Sequence, residues 1–162
     1  MQELAAASKS SGNIYFTGGA TALLLGFREQ TIDIDIKMDP EPAGAFEAIA
    51  RLKNELDVNV ELASPDDFIP ASPDWRERSL HIASVGSLQF FHYDLVLQAL
   101  AKLERGHSQD LEDVRKLLQG RYITADEIRN TLTRIEPELL RYPAIDRREF
   151  RKKVESFLAK TA

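Results

Sequence analysis

The stretch "YFTGGATALLLGFREQTIDIDIKM", residues 15–38, decides the fold. Gly18 and Gly19 interrupt the strand-like run "NIYF", and the Ala/Leu-rich residues 20–25 that follow favour a helix. "TIDIDIKM" then alternates strictly, which is typical of a strand with isoleucines, from Ile32 onward, on one face and with Asp33 and Asp35 on the other. The order predicted is therefore strand, Gly-Gly turn, short helix, strand.

Further strands are predicted on either side of a proline-rich loop. "DVNVEL", residues 57–62, alternates and follows an amphipathic helix predicted at residues 43–56. "LHIASV" and "QFFHY" are separated by a Gly-Ser pair and predict two more strands.

The pattern is helical from residue 94 onward. Predicted helices end at Gly106 and Gly120, and Ser108 and Thr124 are expected to cap the helices that follow them. A last helix is predicted at residues 145–160. Mixed elements followed by helices alone indicate an α+β fold, with a mixed sheet and a helical C-terminal part.

Composition narrows the classes of function. The chain has 162 residues, which suits one domain or one domain with a small appendage. It has no cysteine, which excludes disulfides and Cys-ligated zinc and fits a cytoplasmic location. The longest apolar run, residues 20–26, is far shorter than the roughly 20 residues that span a bilayer. A net charge of −5 means that any contact with nucleic acid must be local.

The two aspartates point to a metal-bound phosphate. Asp33 and Asp35 project from one face of a strand about 7 Å apart, where they repel each other unless a cation lies between them. Oxygen ligands suit Mg²⁺, which usually binds together with phosphates. A glycine turn lets the backbone approach such a ligand, and the helix start offers free N–H groups. Singly, each motif is usually a solvated strand face or a plain turn, but the combination indicates a nucleotide site.

These residues resemble the signature of the polymerase-beta-like nucleotidyltransferase superfamily, which is Gly-Gly, a short helix, then Asp-x-Asp on the next strand. The closer resemblance is to the abortive-infection and toxin-type (AbiEii-like) nucleotidyltransferases, in which an arginine and a threonine lie between the two motifs. The resemblance implies that Asp33 and Asp35 are catalytic metal ligands and that four further residues bind the nucleotide: Gly18, Gly19, Arg28 and Thr31.

The same resemblance implies a third carboxylate on a later strand. Glu61 is the candidate, because alternation places it opposite the apolar face of "DVNVEL". The family more often has aspartate there. Asp66 and Asp67 in the next loop are weaker candidates, and a solvated strand residue is the alternative interpretation of Glu61.

A second segment, "YDLVLQALAKLERGHSQDLEDVRKLL" at residues 93–118, resembles the Lys…Asp segment of the toxin-type group. The resemblance implies that Lys102 is a catalytic residue that contacts the nucleotide phosphates. Asp110 or Asp113 would orient Lys102 or accept the proton of the attacking hydroxyl, and Asp110 is the one expected to be catalytic. The alternative is an exposed, charged helix–turn–helix. Residues 1–92 would be the nucleotidyltransferase core, and residues 93–162 a helical part that completes the active site.

The implied function is Mg²⁺-dependent transfer of an NMP from an NTP to an acceptor hydroxyl on an RNA or tRNA end or on a protein. Toxin-type relatives further imply a cognate antitoxin as partner. Two alternatives stay open: a small-molecule, antibiotic-type acceptor, and a degenerate binding module without catalysis. His81 and His92 are expected to be packed rather than catalytic, and Trp75 to pin its loop to the core. The basic run "DRREFRKKVE" is either a solvated helix face or a patch for RNA phosphates.

Overall fold

A computed structural model describes residues 1–161, so Ala162, the end of the predicted helical part, lies outside the described residues. The chain forms two compact units. The first consists of Met1–Ser64 and Ser79–Tyr93, and the second of Pro65–Arg78 and the chain from Asp94 onward. Among the described residues, no helix combines the length and the apolar character needed to cross a membrane.

The first unit is built on a mixed sheet. Within residues 1–161 the sheet has five strands in the order β3-β2-β1-β5-β4. Strand β1 is antiparallel to β2 and parallel to β5, β2 is parallel to β3, and β4 is antiparallel to β5. The strands are β1 (Gly12–Thr17), β2 (Asp33–Met38), β3 (Asn59–Leu62), β4 (Leu80–Val85) and β5 (Leu88–His92).

Three helices belong to this unit: α1 (Gln2–Ala7), α2 (Gly18–Leu24) and α3 (Ala45–Glu55). The buried residues of α3 recur at helical spacing and form one core with Leu4 of α1 and with the inward residues of the sheet, Ile14, Ile36 and Phe90 among them. Because side chains alternate along a strand, the polar residues of β2 and β3 project from the opposite face. One face of the sheet is therefore buried, and the other face carries the polar residues of β2 and β3.

The sequence predicted this order of strands and helices well, with two exceptions. Strand β2 begins at Asp33, and Ile32 is 86% exposed instead of lying on the apolar face with Ile34 and Ile36. Helix α1 was not predicted, because it has six residues and no side-chain cap, and its buried Leu4 ties it to the core through tertiary contacts.

The second unit is helical. Its elements are a 3₁₀ helix at Pro65–Asp67, α4 (Leu95–Arg105), α5 (Ser108–Gln119), α6 (Ala125–Ile135), a 3₁₀ helix at Glu136–Arg141, and α7 (Arg147–Thr161). The predicted α+β class, a mixed sheet followed by a helical C-terminal part, is confirmed.

Local signals set the ends of these helices. Asp94 caps α4 by accepting hydrogen bonds from the backbone N–H groups of Val96 and Leu97, and Gly106 ends it with a φ of 74°. The capping box of Thr124 and Glu127 is present as predicted. The prediction that Ser108 caps α5 is wrong: Ser108 is the first residue of the helix, after an N-cap residue without a capping hydrogen bond.

Packing of the last helix and of the proline-rich loop follows the predictions. Phe150, Val154 and Phe157 of α7 are buried on one stripe, and Trp75 is 5% exposed. The indole is therefore buried, as expected of a lone tryptophan that pins its loop to the core.

Candidate active site

The three predicted metal ligands lie on two adjacent strands of the first unit. In the parallel pairing of β2 with β3, Asp35 is the register partner of Glu61 and Asp33 is the register partner of Asn59. Register partners project from the same face of a sheet, so the three carboxylates share one face. The structure therefore brings Asp33, Asp35 and Glu61 together as the sequence predicted, with Asp33 and Glu61 exposed and Asp35 half-buried.

An amide that the sequence analysis did not single out joins two of these carboxylates. The Asn59 Nδ2 donates to Asp33 Oδ1 at 2.6 Å and to Glu61 Oε1 at 2.9 Å. The amide hydrogens place partial positive charge between two anionic groups that would otherwise repel each other. The available signal was position alone: Asn59 precedes Glu61 by two residues and shares its face.

The two glycines lie where β1 ends and α2 begins. Gly18 has a φ of +56°, and a Cβ on it would lie 2.9 Å from Asp35 Oδ2. A Cβ on Gly19 would overlap Thr31 Oγ1 and lie 3.4 Å from an Arg28 guanidinium nitrogen. The missing side chains thus let the segment that carries the aspartates lie directly against the turn, which is a role the sequence analysis did not foresee.

Arg28 and Thr31 both lie next to this turn. The Thr31 hydroxyl donates to the backbone carbonyl of Asp33 at 2.9 Å, which fixes the start of β2. Its oxygen also faces Gly19. Thr31 therefore positions the first aspartate through the backbone.

The donors of this cluster are the oxygens of three carboxylates. Among residues 1–161, no group of three or more His, Cys, Asp and Glu side chains is arranged so that it could hold a metal ion directly. The chemistry of the cluster nevertheless fits a hard cation, because its donors are carboxylate oxygens and each shared hydrogen bond uses one oxygen of Asp33 or Glu61. The donor types therefore suit Mg²⁺, whereas the side chains, as arranged among residues 1–161, form no three-residue group for it.

A second charged cluster lies within the helical unit. Lys102 of α4 donates to Asp113 Oδ2 at 2.7 Å and to Asp110 Oδ1 at 3.2 Å, both on α5. Lys102 is 6% exposed, Asp110 4% and Asp113 1%. The structure brings these three predicted residues together, and the alternative of an exposed helix–turn–helix does not hold for them.

Arg105 completes this cluster and was missed by the sequence analysis, although it lies one turn after Lys102. Its Nε and one terminal nitrogen each bind an oxygen of Asp110 at 2.7 Å. Burial alone would raise the pKa of the Asp110 carboxyl, but the bonds from Arg105 and the charges of Arg105 and Lys102 outweigh burial and hold that pKa below its usual value. Such a carboxylate is a poor proton acceptor, so the geometry favours an orienting role for Asp110.

The histidines differ in their surroundings. His92 is buried as expected, and its Nδ1 lies 3.3 Å from the Thr21 hydroxyl, which donates to the Phe16 carbonyl. Burial lowers the pKa of His92 to about 4, so the imidazole is neutral near pH 7. His81 is exposed, against expectation, with its ring edge-on to Phe91.

Comparison with known proteins identifies the family. A family model described as "Nucleotidyltransferase of unknown function (DUF6036)" matches residues 1–157, nearly the whole chain. No curated protein and no solved structure matches the chain. The match spans the glycine turn, the carboxylates of β2 and β3 and the Lys102 cluster, and the chain therefore belongs to this family of nucleotidyltransferases of unknown function.

Proposed function

We propose that the protein transfers an NMP from an NTP to an acceptor hydroxyl, with release of pyrophosphate, in a Mg²⁺-dependent reaction. The observation that carries this proposal is the register of β2 and β3, which sets Glu61 beside Asp35 on the face that also carries Asp33. Membership of a nucleotidyltransferase family and the resemblance of the Gly-Gly and Asp-x-Asp motifs support it.

In this proposal Asp33, Asp35 and Glu61 hold Mg²⁺. Bound there, the cation supplies charge neutralisation on the phosphates and Lewis-acid polarisation at the reacting phosphorus. The residues of the chain do the positioning. Thr31 fixes the backbone of Asp33, and the Gly18 turn lies against the Asp35 carboxylate. The positions of these two ligands are therefore restricted before a cation binds.

The nucleotide phosphates are assigned to the glycine turn and to Arg28. The Arg28 guanidinium lies beside Gly19, and a guanidinium matches the geometry of a phosphate through two parallel N–H donors. Helix α2 has only seven residues, so its dipole contributes little and the arginine is the principal source of positive charge that we assign to this turn.

The acceptor follows from the resemblance to toxin-type enzymes. We propose an RNA or tRNA end or a protein hydroxyl as acceptor, and a cognate antitoxin protein as partner. The net charge of −5 favours a local contact with RNA over a general one. An acceptor of small-molecule type is the alternative.

The test is transfer of label. The protein is incubated with each of four α-labelled NTPs, Mg²⁺ and total RNA, and label is followed in RNA, in the protein itself and in small molecules. Asp35→Asn should abolish transfer, because the amide replaces a charged ligand. Glu47→Gln, an exposed residue of α3, is the matched control and should transfer as the wild type does.

Two results would contradict the proposal. Near-normal transfer by Asp35→Asn would remove that carboxylate from the reaction. Absence of label in every fraction, with a folded protein that still binds an NTP, would support the degenerate binding module instead.

A further inference from the structure

Two hydrogen bonds of Asn59 join Asp33, on the neighbouring strand, to Glu61, on its own strand. Both acceptors are carboxylates, which accept but do not donate when they are ionised. The end of the amide that faces them is therefore the nitrogen. Since one nitrogen lies within hydrogen-bond distance of both, the two acceptor oxygens lie no farther apart than the sum of those two distances.

The shared amide leaves part of each carboxylate in place for other ligands. It uses Oδ1 of Asp33 and Oε1 of Glu61. Each carboxylate has a second oxygen and about four lone-pair positions in total, so a cation can bind without displacing the amide. Hydrogen bonds of this kind to metal-binding carboxylates fix their orientation and typically change metal affinity 10- to 100-fold.

We propose that Asn59 is a positioning residue that orients Asp33 and Glu61 toward the cation and remains bonded to both while the cation is held. This inference rests on the proposed function, since it assumes that the two carboxylates are metal ligands. In the absence of the cation, the amide keeps the two anionic groups close together at an exposed edge of the sheet. When the cation binds, the two carboxylate side chains need less reordering, so the site binds the cation more tightly than the carboxylates would without Asn59.

The experiment measures binding of Mn²⁺ alone, without nucleotide, from the electron paramagnetic resonance signal of the free ion. Mn²⁺ serves as the probe because carboxylate oxygens suit it as they suit Mg²⁺. Asn59→Leu keeps the approximate size and removes both donors, and it should weaken Mn²⁺ binding 10- to 100-fold. Asn59→Gln keeps both N–H groups on a longer stem and should recover part of that loss.

The matched control is Asn54→Leu on α3, where the amide donates only to the Ala50 carbonyl of its own helix. Its Mn²⁺ affinity should equal that of the wild type. A merely structural role of Asn59 would alter the melting temperature of Asn59→Leu and leave the Mn²⁺ affinity of the folded protein unchanged. Transfer by Asn59→Leu should recover most of its kcat at saturating Mg²⁺, because the residue acts through the ligands.

The outcomes separate the two ideas. Equal Mn²⁺ affinities of Asn59→Leu and wild type, with Asp35→Asn unable to bind the ion, would overturn the inference and leave the proposed metal site standing. Failure of the wild type to bind Mn²⁺ would overturn the metal part of the proposed function and the inference with it. Weakened binding in Asn59→Leu with partial recovery in Asn59→Gln supports both.

Discussion

Lys102→Met should destabilise the protein strongly, because it removes a cation from between two buried carboxylates. In the wild type, the Lys102 ammonium lies 2.7 Å from Asp113 and 3.2 Å from Asp110. Asp110 keeps its two bonds from Arg105, whereas Asp113, with a side chain 2% exposed, loses the ammonium that binds it here. A flexible, exposed lysine, the alternative that the sequence analysis left open, would make the same substitution nearly neutral.

The magnitude follows from the burial. Removing one partner of a buried ion pair typically costs about 3–5 kcal/mol. Since Asp110 stays paired, the lower end of that range applies, about 3 kcal/mol. For a chain of this size that corresponds to a fall in melting temperature of roughly 6–12 °C.

The assay is thermal unfolding followed by circular dichroism. Lys152→Met is the matched control: Lys152 is 73% exposed, its ammonium lies 3.7 Å from Glu149, and exposed pairs contribute at most about 1 kcal/mol. The double variant Lys102→Met/Asp113→Leu should regain most of the lost stability, because apolar side chains can replace a buried ion pair at little cost. The reasoning is refuted by a Lys102→Met protein that melts within about 2 °C of Lys152→Met.

The double variant also separates structure from catalysis. The predicted contact of Lys102 with the leaving pyrophosphate requires that transfer stay reduced by roughly 10²–10³ after stability is restored. Recovery of transfer together with stability would make Lys102 a structural residue. Either result is measured at a temperature at which every variant is folded.

Three further predictions concern the first unit. Asp35→Asn should leave the free energy of unfolding in chelator within about 1 kcal/mol of the wild type or raise it, since loss of a charge relieves repulsion among the carboxylates; a large fall in chemical denaturation would contradict this. Gly18→Ala should destabilise more than Gly86→Ala, because both have a φ near +57° but a Cβ at Gly18 meets Asp35 at 2.9 Å, whereas the nearest atom at Gly86 is 3.9 Å away; equal melting temperatures would show that the contact with Asp35 is not restrictive. Burial lowers the pKa of His92 to about 4 from a usual 6.5, so between about pH 6.5 and pH 4 a proton binds to this side chain in the unfolded chain but not in the folded one. His92 should therefore cost up to about 3 kcal/mol of stability as the pH falls through that window. The difference in the free energy of unfolding between wild type and His92→Asn should change only in that window, and a difference that stays constant with pH would contradict the prediction.

Local patterns predicted most of the fold. Alternation gave the strands, and the glycine after α4 and the capping box of α6 marked helix ends through contacts within a few residues. The predicted strand began two residues too early, at Thr31, because alternation indicates only which face a side chain takes. Pairing with β1 and β3 decides where the strand begins, at Asp33.

The candidate site was predicted in its residue types but not in its contacts. Glu61 was placed correctly on the face of Asp33, because the alternation of side chains along each strand can be read from neighbouring residues alone. The bond between Asn59 and Asp33 depends on the register of two strands separated by a helix, and no local pattern encodes that register. The burial of Lys102 depends likewise on how α4 packs on α5.

Because β3 lies at the edge of the sheet, local opening of this strand separates the carboxylates from one another. β3 has four residues and ends the strand order, hydrogen-bonded to β2 alone among the described strands, and it carries both Asn59 and Glu61. Short edge segments open at a lower free energy than whole domains do, and each opening carries Glu61 away from Asp35. A cation bound by both strands would therefore disfavour local opening of β3. Amide hydrogen exchange at residues 59–62 would slow when the cation is added, whereas exchange in β1, the central strand of the sheet, would not change.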